Sequence, residues 1–332
     1  MVAHWESTGL RVTTASSDGS KHFPDQVIID GLTRSPRMAN RRVPHALRQW
    51  VDRQSVDVIL TNTATASALA RLARTRVPVV YFCHGLHWNQ FSLKSLPFRF
   101  MERLLLARTD GVVCMNTPDE IWFEKHAPQL PRLRLRHGVG LDTKRFPRNV
   151  ERKPWTTGET LQLVWCGELT ERKNPIDAIA LVTELKRRGV DVELRMLGRG
   201  AMLSELEERI GDDRQVQLLG HVDPVPHFML SHLLVQTSRW EGLPRVALEA
   251  VAMGMPTVGF DVKGVQDIPG AYLATEGDIE QLASQVLRAA AEGPRSLPEL
   301  DALSYTHAAE AIREFLEALL SGSYPHGATL VR

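Results

Sequence analysis

Cysteine is scarce in this chain of 332 residues: Cys83, Cys114 and Cys166 each sit among apolar neighbours, and none falls in a Cys-x-x-Cys spacing. That excludes a small disulfide scaffold and favours buried thiols over a zinc site or a redox centre. Long hydrophobic runs are also missing. No stretch approaches the roughly 20 apolar residues that cross a bilayer, and the opening MVAHWESTGLRV lacks the apolar core of a signal peptide. The expectation is therefore a soluble, cytoplasmic protein. Low-complexity tracts and short repeats are absent, and no basic segment is interleaved with aromatics in the manner of a single-strand RNA or DNA binder, so nucleic acid is not expected as a partner. What remains is an ordinary globular composition, 43% hydrophobic and 24% charged, with enough length for two domains at roughly 100 to 200 residues each.

Charge of one sign is unevenly spread. Residues 1–150 hold 22 Lys and Arg against 12 Asp and Glu, a balance of +10, while the remainder holds 18 against 27, a balance of −9. A basic half suggests an anionic partner: nucleic acid, a membrane surface or a phosphorylated substrate. Its densest part is Arg34, Arg37, Arg41, Arg42 and Arg48, which reads either as a peripheral contact with anionic membrane or as a solvated face with no partner.

Short β-rich runs alternate with helical patterns along the whole chain. Val12–Ala15, Val27–Asp30, Val56–Asn62, Val77–His84, Gly111–Asn116 and Leu133–Val139 are the candidate strands of the first half. Leu161–Cys166, Val192–Leu197, Val216–Leu219, Leu233–Thr237 and Pro256–Phe260 are those of the second. Between them, residues 64–74 are rich in Ala and Leu, and residues 97–108 put Phe100, Leu104 and Ala107 on one helix face. Helices of the second half begin near Pro175, Ala201 and Pro244. Alternation of this kind predicts an α/β chain with two parallel, doubly wound sheets built by right-handed crossovers. The expected organisation is a domain over 1–145, a polar linker over 146–159 carrying Pro147, Arg152, Lys153 and Pro154, a second domain over 160–303, and a helix over 304–320 packing back on the first domain. Ligand is expected at the carboxyl ends of the strands, in a cleft between two such domains.

The most informative segment is Ser238-Arg-Trp-Glu-Gly-Leu-Pro-Arg-Val-Ala-Leu-Glu249. It follows an apolar strand and leads into a helix whose first position is expected at Pro244. Free N–H groups at a helix start, aided by the helix dipole, hold phosphate. Glu241 lies before the helix and Glu249 eight residues on, inside it, so the two carboxylates can flank that phosphate at different depths.

This Glu-x7-Glu within EGLPRVALE resembles the signature of family 4 retaining glycosyltransferases. The resemblance implies a GT-B fold of two Rossmann-like domains, a nucleotide-sugar donor such as a UDP-sugar, and no metal or other cofactor. Further segments carry it along nearly the whole chain. Trp165-Cys-Gly-Glu-Leu-Thr-Glu-Arg-Lys-Asn174 is similar to the loop after the first strand of the family's nucleotide domain, with Gly167 in place and Lys173 at the Lys position. Glu168 stands where the family has Arg, a departure that would repel a diphosphate; Arg172 or Arg245 is then the candidate second cation. Met196-Leu-Gly-Arg-Gly200 resembles the family's Gly-x-Gly turn at Gly198, and Leu219-Gly-His-Val222 the stretch whose backbone holds the base, ending at Val222. Tyr81-Phe-Cys-His-Gly-Leu-His-Trp-Asn89 is similar to the His-Gly segment, whose His, here His84, faces the donor sugar; His87 is a weaker candidate. Phe98–Asn116, which includes Glu102–Asp110, and His137–Phe146, with Gly138 and Gly140 allowing a close turn, resemble the subgroup that builds bacterial capsular, exopolysaccharide and O-antigen chains.

The implied roles are these. Lys173 and the N–H groups of Gly242 and Leu243 hold the diphosphate, near the helix start that runs to Val246; His84 and Glu241 orient the sugar, and Glu249 holds the ribose. The implied acceptor is lipid-linked or a glycan, reached at the inner face of the membrane. The alternative is a nucleotide-sugar-binding module of the same fold that has lost activity, which Glu168 suggests. One further expectation concerns the first strand. Family members open with an apolar strand and a glycine loop, whereas this chain reaches its first strand at Val12, so the strands at Val12–Ala15 and Val56–Asn62 are expected either to flank a gap or to pair directly, as in a shortened form.

Overall fold

The computed structural model describes residues 1–17, 26–32, 38–86, 88, 95–149, 152–324 and 329–332. The chain forms two compact units, Met1–Val139 with Thr306–Arg332, and Gly140–Tyr305. No helix among the described residues is long and apolar enough to cross a membrane.

The first unit runs α1 (Val2–Ser7), β1 (Thr14–Ser16), β2 (Gln26–Ile28), α2 (Val43–Arg53), β3 (Ile59–Thr61), α3 (Ala64–Ala73), β4 (Val79–Cys83), α4 (Leu96–Leu105), β5 (Gly111–Cys114), α5 (Thr117–His126) and β6 (Arg132–Arg134). A C-terminal strand, β13 (Thr329–Val331), pairs in parallel with β6 and completes a five-stranded sheet ordered β13-β6-β5-β4-β3. Every residue of β4 and β5 is buried, which is why VVYFC and GVVC are unbroken apolar runs: strands covered on both faces have no solvent side to mark. Helix α3 is started by Thr63, whose hydroxyl accepts the Ala66 N–H, and with α2 it covers one face through Val43, Leu47, Val51, Leu69, Ala70 and Ala73. Among the described strands, β1 pairs only with β2 and β3 only with β4, so β1 and β3 do not pair directly. The final helix, α11 (Tyr305–Leu320), buries Phe315 against Gly111 of β5, and the Trp5 indole donates to the Ala309 carbonyl at 2.8 Å.

The second unit holds β7 (Leu161–Cys166), α6 (Pro175–Arg187), β8 (Val192–Leu197), α7 (Leu203–Ile210), β9 (Val216–Gly220), α8 (Pro224–Leu230), β10 (Leu233–Gln236), α9 (Arg245–Ala252), β11 (Thr257–Phe260), β12 (Tyr272–Ala274) and α10 (Ile279–Glu292). All six strands are parallel, in the order β12-β11-β10-β7-β8-β9. The strand order reverses between β7 and β10, the place where open α/β sheets leave a crevice at their carboxyl ends. Trp165, Leu161, Leu163 and Val164 of β7 are buried between the helix layers. Gly140, at φ +67°, lets the chain lie against Ser304, whose carbonyl would be 2.3 Å from an added Cβ, and Leu141 exchanges backbone hydrogen bonds with Leu303 and Tyr305.

Candidate functional site

At the switch point the two loops singled out above meet. The loop after β7 delivers Arg172 and Lys173, and the loop after β10 delivers Ser238 and Glu241. The Glu241 carboxylate is 5% exposed. Its Oε1 lies 2.6 Å from Lys173 Nζ and accepts the Ser238 hydroxyl at 2.7 Å, while Oε2 accepts Arg172 Nη1 at 2.7 Å. Burial pushes the carboxyl pKa up, but the two cations more than offset it and hold the group below its ordinary value. Arg172, one-third exposed, pairs with Glu241 and lies over the Trp240 ring at 5.2 Å. With Lys173 and Arg172 against a single carboxylate, the cluster still carries one net positive charge.

Backbone contacts fix this arrangement. Thr237 Oγ1 receives the Trp165 indole N–H at 3.0 Å and donates to the Asn174 carbonyl at 2.7 Å, stitching the β10 loop to the β7 loop. Asn174 takes φ +50°, turning the chain into α6. The Glu241 N–H donates to the Lys263 carbonyl, and the glycine at 264, φ +78°, packs so tightly on Glu241 and Gly242 that an added Cβ would lie 2.6 Å from either carbonyl oxygen. Gly198, φ +147°, leaves no room at all: an added Cβ would be 1.7 Å from the Gly167 carbonyl oxygen. Its N–H donates to Gly220 O at 2.8 Å, so the ends of β7, β8 and β9 are drawn together through glycines.

Pro244 is the cap of α9 rather than its first helical residue, because its ψ of 113° is extended. Its carbonyl accepts the N–H groups of Ala247 and Leu248, and the N–H groups of Arg245 and Val246 precede any intrahelical acceptor. Gly242 is half-buried, Leu243 buried and Arg245 exposed. Glu249 is half-buried, and burial raises its pKa; Arg245 and Arg145 oppose this, and Asp223 adds to it. The Cys166 thiol is pushed up to about 11, first by burial and then by Glu249, while Lys173 pulls it down. That thiol is neutral at pH 7. Val222 lies exposed beyond β9, and Glu168 is exposed at the loop surface, pointing its charge to water.

His84 belongs to the first unit. Its ring stacks on Phe82, centroids 4.3 Å apart, and Nε2 is 2.5 Å from Asn62 Oδ1. Partial burial lowers its pKa, so the imidazole is neutral at pH 7. Its loop is pinned by Asp119, whose Oδ2 accepts the Leu86 N–H at 3.0 Å and the Asn116 side-chain amide at 2.8 Å. Ser238, Asn62, Lys263 and Asp119 escaped sequence reasoning. Only Asp119 carried a local signal, as the third helical residue after the Asn116 cap. His87, Arg34 and Arg37 lie outside the described residues, while Arg41, Arg42 and Arg48 are exposed, with Arg48 paired to Asp52 at 3.8 Å.

Two family models match the chain: a glycosyl transferase 4-like domain over residues 1–121 and glycosyl transferases group 1 over residues 160–292. EpsD of Bacillus subtilis, named as a glycosyltransferase, is 26% identical over 306 residues, covering 85% of this chain and 80% of that protein. An Escherichia coli UDP-Gal:alpha-D-GlcNAc-diphosphoundecaprenol alpha-1,3-galactosyltransferase is 22% identical over 265 residues, covering 73% and 68%. The structure of Anabaena HepE in complex with UDP superposes with a TM-score of 0.62 at 17% identity, covering 90% of this chain and 84% of that one.

Proposed function

Because the chain is a glycosyltransferase of the family 4 type with the GT-B fold, we propose that it moves a hexose or N-acetylhexosamine from a UDP-sugar to a lipid-linked or polysaccharide acceptor, with retention at the anomeric carbon. The observation that carries this reading is the Lys173–Glu241–Arg172 cluster, set at the switch point beside the start of α9. Its net positive charge and the N–H groups of the α9 start suit a departing diphosphate, which gains charge as the glycosidic bond breaks. A carboxylate offers about four lone-pair sites. Lys173, Ser238 and Arg172 occupy three on Glu241, and the fourth is left for a sugar hydroxyl. His84, neutral at pH 7, acts as a hydrogen-bond partner of the sugar. Glu249 holds the ribose hydroxyls. The relative that acts on a diphosphoundecaprenol-linked sugar supports a lipid-linked acceptor, and Arg41, Arg42 and Arg48, with Arg34 and Arg37, are proposed to meet the anionic surface in which such an acceptor sits, at the cytoplasmic face.

Thermal unfolding across a nucleotide panel tests this. A ligand present at about 100 times its Kd adds about 2.7 kcal/mol to stability, so UDP and a UDP-sugar should raise Tm by several degrees and other nucleoside diphosphates by less. If no uridine nucleotide shifts Tm, the donor assignment fails. Binding without transfer to any acceptor would favour the inactive module, the reading that the exposed Glu168 supports. Transfer should persist in EDTA, because the positive charge of Lys173 and Arg172 and the N–H groups at the start of α9 take the part in neutralising the diphosphate that Mg²⁺ would otherwise play. Loss of activity that Mg²⁺ restores would contradict a metal-free reaction.

Glu249 gives a pH test. Its pKa is raised above 4.5, and the ionised carboxylate accepts from two ribose hydroxyls more strongly than the protonated acid, which keeps one O–H donor of its own. UDP affinity should therefore fall as pH drops toward that raised pKa, earlier than an ordinary Glu would allow. The nucleotide's own phosphate titrates near about 6, so the comparison is with Glu249→Gln, whose affinity is lower at pH 7 and whose profile lacks the Glu249 component. Parallel profiles for the two proteins would remove Glu249 from the ribose site.

A further inference from the structure

Helix α4 is built inside out. Of the fourteen large apolar side chains exposed among the described residues, five lie on these ten residues: Leu96, Phe98, Phe100, Met101 and Leu104, with Phe98 60% and Phe100 65% exposed. Leu96, Phe100 and Leu104 follow at intervals of four, with Pro97 and Met101 beside them, so they form one continuous outward stripe. The inward side holds Leu105 and an acid, Glu102. Both carboxylate oxygens of Glu102 accept from Arg71, at 2.5 and 3.0 Å, and Arg71 is itself 1% exposed, over the Tyr81 ring and hydrogen-bonded to Thr109. Turning the apolar stripe inward would strand Arg71 as a buried, unpaired charge, which proteins do not sustain. The outward stripe is thus locked in by the core.

Charge tells what covers it. The only acid on the helix is Glu102, already neutralised by Arg71. Arg103 is exposed beside the stripe, and Arg99 and Arg108 lie half-buried at its margins, Arg99 over the Trp88 ring at 5.7 Å. Asp110, an exposed acid five residues beyond the helix, accepts the Val79 N–H. A stripe of aromatic and aliphatic side chains rimmed by arginines, with no unpaired acid, matches a helix lying in the plane of an anionic bilayer, its apolar side among the acyl chains and its guanidinium groups at the phosphates. We propose that α4 is a membrane-docking helix and that its occupant is an anionic phospholipid surface. This differs from the basic segment around Arg41 and Arg42, which has charge but no apolar stripe to insert.

The test is flotation of the full chain with vesicles of phosphatidylcholine, with and without phosphatidylglycerol, in the absence of donor and acceptor, so that a failure here leaves the transferase reading untouched. The wild type should float with the anionic vesicles. Phe100→Ser with Leu104→Ser should lower partitioning at least about tenfold by removing buried apolar area. Arg99→Gln with Arg103→Gln should lower it about 25-fold, fivefold per arginine. High salt should weaken the wild type without abolishing its binding, whereas Arg41→Gln with Arg42→Gln should leave the salt-resistant part intact. As a readout that needs no disruptive change, Phe100→Cys carrying an environment-sensitive dye should report an apolar surrounding when vesicles are added. The proposal is overturned if the wild type fails to float, if the serine variant floats equally well, if the dye is unmoved, or if the stripe instead holds a dimer that the serine variant dissolves.

Discussion

Replacing Lys173 with methionine is expected to raise the Kd for UDP about 10- to 150-fold, the effect of losing about 1.5 to 3 kcal/mol of charge-assisted hydrogen bonding to a diphosphate. A second effect accompanies it. Lys173 is also a partner of a buried carboxylate, and removing one side of a buried pair costs about 3 to 5 kcal/mol when nothing remains; with Arg172 and Ser238 still on Glu241, the low end of that range applies. The stability loss has a definite pH dependence. Glu241 has a folded pKa below its ordinary 4.5, so its ionised form contributes stability above about that pH, and the contribution disappears as pH falls through the folded value. The variant should therefore differ most from the wild type near neutrality, and the gap should close in acid. Calorimetry for affinity and thermal melting between pH 3 and 7 separate the two effects. Unchanged UDP affinity in a folded Lys173→Met protein would remove the diphosphate assignment, whatever its stability.

The strands of the second unit were legible because β7, β10 and β11 are short, mostly apolar runs and β8, VELRML, alternates apolar with charged residues, each bounded by glycine, proline or polar loops. The first unit was harder. Its runs at Val12–Ala15 and Val56–Asn62 shorten to Thr14–Ser16 and Ile59–Thr61, since each has one strand partner among the described residues and a ladder sets strand length more than apolarity does. β13 could not be read at all: Thr329–Val331 is three residues long and becomes a strand only because β6 offers an edge. The stripe on α4 was visible as periodicity, but periodicity gives a face and not its direction. That direction is set by Arg71, distant in sequence, choosing Glu102 as its counter-ion.

The candidate site shows the same division. Glu241 and Glu249 could be named because their spacing to a strand end and a helix start is a local property, and Lys173 because its segment resembles the family's loop. That Lys173 and Arg172 both point to Glu241 could not, because the meeting depends on β7 and β10 being neighbours, and adjacency in a doubly wound sheet is a matter of topology. Ser238 and Lys263 were missed for that reason: a serine and a backbone carbonyl gain meaning only when a buried carboxylate or a loop N–H arrives beside them.

Gly198→Ala is expected to be the most damaging single-methyl change in the second unit. Two effects coincide there. The backbone at φ +147° is one that a residue with a Cβ rarely adopts, and the added carbon would sit 1.7 Å from the Gly167 carbonyl oxygen, less than half of an ordinary contact. The clash is with backbone, so no side chain can turn away. Relief requires the loop after β7 to separate from β8, breaking the Gly167 N–H bond to Leu197 O at 2.9 Å and the Gly198 N–H bond to Gly220 O at 2.8 Å. Each of the two lost buried bonds costs about 1 to 3 kcal/mol, in addition to about 1 to 3 kcal/mol of backbone strain, so the total is about 3 to 9 kcal/mol and should lower Tm by at least about 6 °C in a unit of this size. UDP affinity should fall in the same variant, because the displaced loop carries Lys173. Gly189→Ala separates strain from clash: it has φ +79° but nothing within 4 Å of an added Cβ, and should cost about 1 to 2 kcal/mol with no loss of UDP binding. If the two alanine variants melt within a degree of one another, the close approach of β8 to the Gly167 carbonyl does not hold the nucleotide loop in place.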